Sequence, residues 1–121
     1  MTKAEFFDGM LTLLPEAQAP CQQMRREYGD FLETVVLEDA FFPLIQELLA
    51  KRRNEMRLRS IFNLLERAVD GGDADLTNLI SVTILECLGN DTEVLKEAGK
   101  YMGPHTCRLQ LEADRALGRK L

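Results

Sequence analysis

The sequence predicts an all-α protein: a compact array of six or seven short antiparallel helices in a single domain over 1–121. An α-solenoid of the HEAT type is the shape such helices take when they stack. Three observations predict the class. Apolar residues recur at intervals of three and four along almost the whole chain, which is the spacing of one helix face. Glycine and proline break that pattern at short intervals, leaving loops of only a few residues. The β-branched run Thr34-Val35-Val36 would suit a strand, but the chain offers it no partner strand.

Each element follows in order. Thr2 and Glu5 form a capping-box pattern that opens a helix over 3–14, and Leu14-Pro15 ends it because the residue before proline is pushed out of helical geometry. A second helix spans 17–28 with Pro20 near its first turn, and Gly29-Asp30 breaks it. The segment 31–38 is read as helix for want of a strand to pair with. From Asp39, with Pro43 in the first turn, Phe41, Leu44, Ile45, Leu48 and Leu49 form one apolar stripe. The next helix covers 55–69 on the stripe Leu58, Ile61, Phe62, Leu65, Ala68 and Val69, and Asp70-Gly71-Gly72 stops it. Asp73 or Asp75 caps a helix reaching Leu88, with Gly89 just past its end. Its sequence is apolar nearly all round, so it should be central and buried. Asp91 caps a helix that ends near Met102-Gly103, and Pro104 opens the last one, which reaches about Leu117.

Composition bounds the function. With 121 residues, 45% of them hydrophobic, the chain can bury one core, and 29% charged residues keep it in water. No apolar run reaches the roughly 18 residues that a membrane span needs. The first residues carry Glu5 and Asp8 and do not read as a secretory signal. Cys21, Cys87 and Cys107 are odd in number and far apart, which fits a reducing cytoplasm better than a disulfide framework. The net charge of −5 argues against a general nucleic-acid binder and suits a basic protein partner.

The motifs that carry chemistry are missing or fail on spacing. His105 and Cys107, in the stretch YMGPHTC, are two residues apart at a helix start and point away from each other, so they form no local dyad. Gly103-Pro104 reads as a helix-to-helix joint, with Glu112, two turns on, placed to hold the imidazole. The stretch 70-DGGDAD-75 lacks the acid and glycine positions of a calcium loop, and one histidine with three scattered cysteines makes no zinc pattern. No phosphate-binding glycine motif and no nucleophile elbow occurs. No catalytic residue, metal ligand or cofactor site is therefore expected, and the chain is read as a non-enzyme.

Three features remain. Glu86 lies at the edge of an apolar face and calls for a partner, either an arginine of a neighbouring helix or a functional role of its own. The basic stretch 51-KRRNEMRLR-59 spans a helix joint and reads as a solvated joint, an RNA or phosphate site, or a protein contact. Between Glu66 and Glu97 lie eight acids against Arg67 and Lys96. Capping explains several of them, and a negative docking surface is the alternative.

The blocks LEDAFFPLIQELL (37–49), IFNLLERAVDGGD (61–73) and the stretch 76–119, with LGND after Glu86 and YMGP at Tyr101, carry a resemblance. Over about the last two thirds of the chain the sequence resembles a family of small acidic all-α bacterial proteins. That family is associated with immunity to contact-dependent inhibition and other polymorphic toxins. The resemblance implies a cytoplasmic protein that binds and neutralises a cognate toxin, for instance a nuclease with a basic active site. Asp70, Asp73, Asp75, Asp91, Glu93 and Glu97 would contribute the acidic face. A generic helical interaction or regulatory module, and an RNA-associated protein using Lys51 to Arg59, are the competing readings.

Overall fold

The computed structural model describes residues 1–29 and 32–119, and every regular element within them is helical. Asp30 and Phe31, at the expected break and the start of the third segment, lie outside the described residues.

Helix α1 (Lys3–Leu13) starts on the expected capping box: the Glu5 N–H donates to the Thr2 hydroxyl at 3.1 Å, and the Thr2 N–H donates to Glu5 Oε1 at 2.9 Å. It buries Phe6, Phe7 and Met10, and Leu14 and a single 3-10 turn, Pro15–Ala17, lead on to α2 (Gln18–Tyr28). Helix α2 buries only Cys21 and ends at Gly29, whose φ of 73° is the left-handed geometry that glycine accepts without strain.

The next rod differs from the expectation. Helix α3 (Glu33–Val36) passes through a π turn, Leu37–Phe41, straight into α4 (Phe42–Lys51). The rod thus begins before Asp39, and Pro43 does not open it. Proline has no N–H and its ring crowds the carbonyl four residues back. One widened turn, in which the Phe42 N–H donates to the Leu37 carbonyl, carries the helix past it. Arg52 and Asn54 both adopt left-handed geometry in the short joint that follows.

Helix α5 (Glu55–Asp70) buries Leu58, Ile61, Phe62, Leu65 and Ala68 as its stripe predicts, and Leu64 besides. Asp73 caps α6 (Ala74–Ile80), accepting the Leu76 N–H at 3.0 Å. A second π turn, Ser81–Leu85, joins α6 to α7 (Glu86–Leu88), so the rod expected to end at Leu88 does so. The rod is not buried all round as its composition suggests: Leu85 is fully buried, whereas Val82 is exposed. Gly89 is right-handed, not the left-handed residue that usually follows a helix end. Its lack of a side chain matters for another reason, since a Cβ there would strike the guanidinium of Arg119. Helix α8 (Thr92–Ala98) is capped by Asp91 and stops four residues earlier than Met102, with turns carrying the chain on through Tyr101. Helix α9 (Pro104–Ala116) closes the fold.

Helix α5 packs against both α1 and α9, α4 packs on α8, and the two π turns meet, the second also resting on α9. The core lies among them, with Phe6, Met10, Phe41, Phe62, Ile45, Leu58, Ile61, Leu65 and Leu76 all fully buried. Each such side chain contributes roughly 1.5–3 kcal/mol of burial.

Candidate functional site

The polar groups that the fold concentrates lie where α5 meets the start of α9. Gly103 is the N-cap of α9 and Pro104 its first residue, so no side chain of this segment caps the helix and the N–H groups of His105 and Thr106 need an acceptor. Glu66, from α5, supplies it. Its Oε1 accepts the Thr106 N–H and the Thr106 hydroxyl, each at 2.9 Å, and its Oε2 accepts the His105 N–H at 3.1 Å. His105 Nδ1 lies 2.6 Å from the same Oε2. Burial pushes this carboxyl up, but the four donors, led by the Thr106 N–H, outweigh it and hold Glu66 down at about 2. Gly103 leaves room for this carboxylate: a Cβ there would sit 2.5 Å from the Glu66 carboxyl carbon and displace it.

The other ring nitrogen of His105, Nε2, lies 3.1 Å from Asp70 Oδ1 at the end of α5. The imidazole is thus held between two carboxylates of α5, and Glu112 is not its holder. Two turns of helix separate Glu112 from His105 by about 10 Å along the axis, whereas α5 presents its acids directly across the joint. Glu112 lines the neighbouring cleft of about 340 Å³ with Val69, Thr77, Arg108 and Leu109. Cys107 faces solvent, away from the histidine, as its spacing predicts.

The six acids singled out in the sequence do not form one face. Asp70, Asp73 and Asp75 are exposed together around the α5–α6 turn. Asp91 and Glu93 are exposed at the start of α8, beyond the far end of the rod Ala74 to Leu88, about 20 Å away at 1.5 Å per residue. Asp73 and Asp91 also cap their helices. Glu97 is buried and lies against Lys100 at 2.8 Å and Arg52 at 3.6 Å.

The basic joint is largely neutralised within the chain. Lys51 binds Glu47, Arg59 binds Glu55 and covers the Tyr101 ring, and Arg57 binds Glu16 and the Leu13 carbonyl. Tyr101 in turn stacks on Phe62 with ring centres 6.0 Å apart. The cysteines are free thiols. Burial pushes Cys21 up, and burial with the charges of Glu38, Glu86 and Asp39 does the same for Cys87, which disfavours the thiolate in both.

A second polar cluster escaped the sequence reading. Gln110 and Asp114 are buried on the inner face of α9, and Gln110 Nε2 donates to the Leu85 carbonyl at 2.9 Å and to Asp114 at 3.2 Å. Arg119 folds back to donate to Asp114, Asn90 and the Glu86 carbonyl. The arginine expected to pair with the Glu86 carboxylate is not seen there among the described residues: Arg119, past the end of α9, bonds the Glu86 backbone carbonyl instead. The spacing Thr106, Gln110, Ala113, Asp114 was the available signal: it is a core stripe written in small and polar residues.

Fold and site together define a small, acidic, all-helical domain whose concentrated polar groups serve to join helices. The chain belongs to the DUF7674 family, a domain of unknown function, whose model matches residues 7–117. No curated protein and no solved structure matches it.

Proposed function

We propose that the protein is an immunity-type binding protein that neutralises a cognate bacterial toxin by docking on a basic surface, such as a nuclease active site. One observation carries the reading: Asp70, Asp73 and Asp75 are all exposed around the α5–α6 turn of an acidic chain. Opposed charge of this kind speeds association and selects partners. Asp91 and Glu93, at the other end of the α6–α7 rod, are the second possible face, and Glu97 is taken up by its own cations.

The experiment is association kinetics with the product of the adjacent upstream gene, measured across salt concentrations. Reversing Asp70 and Asp75 to lysine should slow association roughly tenfold or more and flatten its salt dependence. Reversing Glu93 should leave both nearly unchanged. Equal rates for all variants and the natural chain would remove the acidic-face reading.

A further inference from the structure

We infer that His105 is a proton-operated latch on the acidic α5–α6 turn: as an imidazolium it ties Asp70 to Glu66, and on losing its proton it frees the Asp70 carboxylate. Each ring nitrogen faces a carboxylate oxygen, Glu66 Oε2 at 2.6 Å and Asp70 Oδ1 at 3.1 Å. Ionised carboxylates only accept hydrogen bonds, so satisfying both contacts requires a proton on both nitrogens, and the ring is then cationic. Glu66 stays ionised at any pH at which histidine titrates, because the His105 and Thr106 donors stabilise its charge.

The surrounding charges are few enough to name. Helix α5 brings Glu66 and Asp70. Helix α9 brings Arg108 and Glu112 along the shared cleft, to which α6 brings the uncharged Ala74 and Thr77. Asp73 and Asp75 stand in the adjoining turn, and the Met1 amine approaches Gly71. Acids therefore predominate around the ring.

The two contacts are unequal, and this decides what happens on deprotonation. The Nδ1 contact is the shorter, and its carboxylate is fixed by three further bonds from α9. The Asp70 side chain is 64% exposed and stands on the last residue of its helix. When one proton leaves, the ring keeps Nδ1–H toward Glu66 and turns a lone pair toward Asp70. Two facing acceptors repel, and Asp70 turns to water. The joint stays closed while the α5–α6 turn gains a free carboxylate. Any effect on a partner rests on the docking reading above. The latch itself does not.

The test uses the free, full chain. Nitrogen-15 NMR of the His105 imidazole and carbon-13 NMR of the Asp70 carboxyl are followed from about pH 5 to about pH 9. Both ring nitrogens should be protonated at the acid end, with Nδ1–H and a bare Nε2 at the alkaline end. The Asp70 resonance should shift with the same midpoint as the ring. In Asp70→Asn the Nδ1–H tautomer should persist, because Glu66 selects it. A proton remaining on Nε2, or an Asp70 resonance that stays flat while His105 titrates, overturns the latch. Neither result bears on partner docking. Conversely, partner association that ignores pH while the free-chain shifts coincide would count against docking at Asp70 and leave the latch standing.

Discussion

Helix α9 is held at both ends by clusters of polar groups, and the two ends are built differently. At its start one carboxylate from another helix gathers four donors, all within 3.1 Å. At its finish the work is spread over Gln110, Asp114, Arg119, Asn90 and two backbone carbonyls, and among the described residues Gln110 Oε1 has no partner. A concentrated tie fails all at once when its centre is removed. A distributed one keeps some of its bonds after any single loss.

The largest effect should therefore come from Glu66→Ala. It orphans the His105 and Thr106 N–H groups and the fully buried Thr106 hydroxyl. At about 1–3 kcal/mol for each unsatisfied buried group, tempered by water reaching a site that is one-fifth exposed, a loss of about 3 kcal/mol is expected in urea denaturation. Glu66→Gln keeps an acceptor oxygen and should cost clearly less. If the two substitutions cost the same, charge rather than acceptor geometry carries the tie.

Asp114→Ala should follow at about 2 kcal/mol. It removes the partner of Arg119 Nη1 and one of the two bonds of Gln110 Nε2, but the arginine keeps Asn90 and the Glu86 carbonyl, and Gln110 keeps Leu85. A loss as large as that of Glu66→Ala would erase the contrast between the two ends.

The same contrast shows how far the sequence could be read. Helix positions were legible because the apolar stripes and the caps at Thr2, Asp73 and Asp91 are local signals, and each does what its spacing says. The π turns were not legible. Pro43 read as a helix start because a continuous helix can pass a proline only by widening, which tertiary packing decides. The site was half legible. YMGPHTC read correctly as a joint, but Glu66 lies 39 residues from His105, and periodicity carries no information about which acid crosses between helices. The distributed end was hidden for another reason: Gln110 and Asp114 occupy core positions with residues that normally mark a surface.

An acid titration tests the concentrated end by itself. Glu66 has a folded-state pKa of about 2 against an ordinary 4.5. A depressed carboxyl adds stability that is complete above about 4.5 and is lost as pH falls toward about 2. The stability gap between the natural chain and Glu66→Gln should thus close between those limits, by on the order of 2 kcal/mol given partial exposure. Urea midpoints of the natural chain and Glu66→Gln at about pH 6 and about pH 3 would show it, and a gap that stays the same at both would remove Glu66 as the acid-sensitive tie.

The smallest effect tests which acid holds the histidine. Glu112 is exposed and shares only the cleft with His105, so Glu112→Gln should change stability by less than about 0.5 kcal/mol. It should leave the alkaline Nδ1–H tautomer in place, because that tautomer is selected across the joint by Glu66. A tautomer change in Glu112→Gln would mean that the ring answers to its own helix, two turns away, rather than to α5. The start of α9 would then be a local cap, and the comparison between a concentrated and a distributed tie would lose its first member.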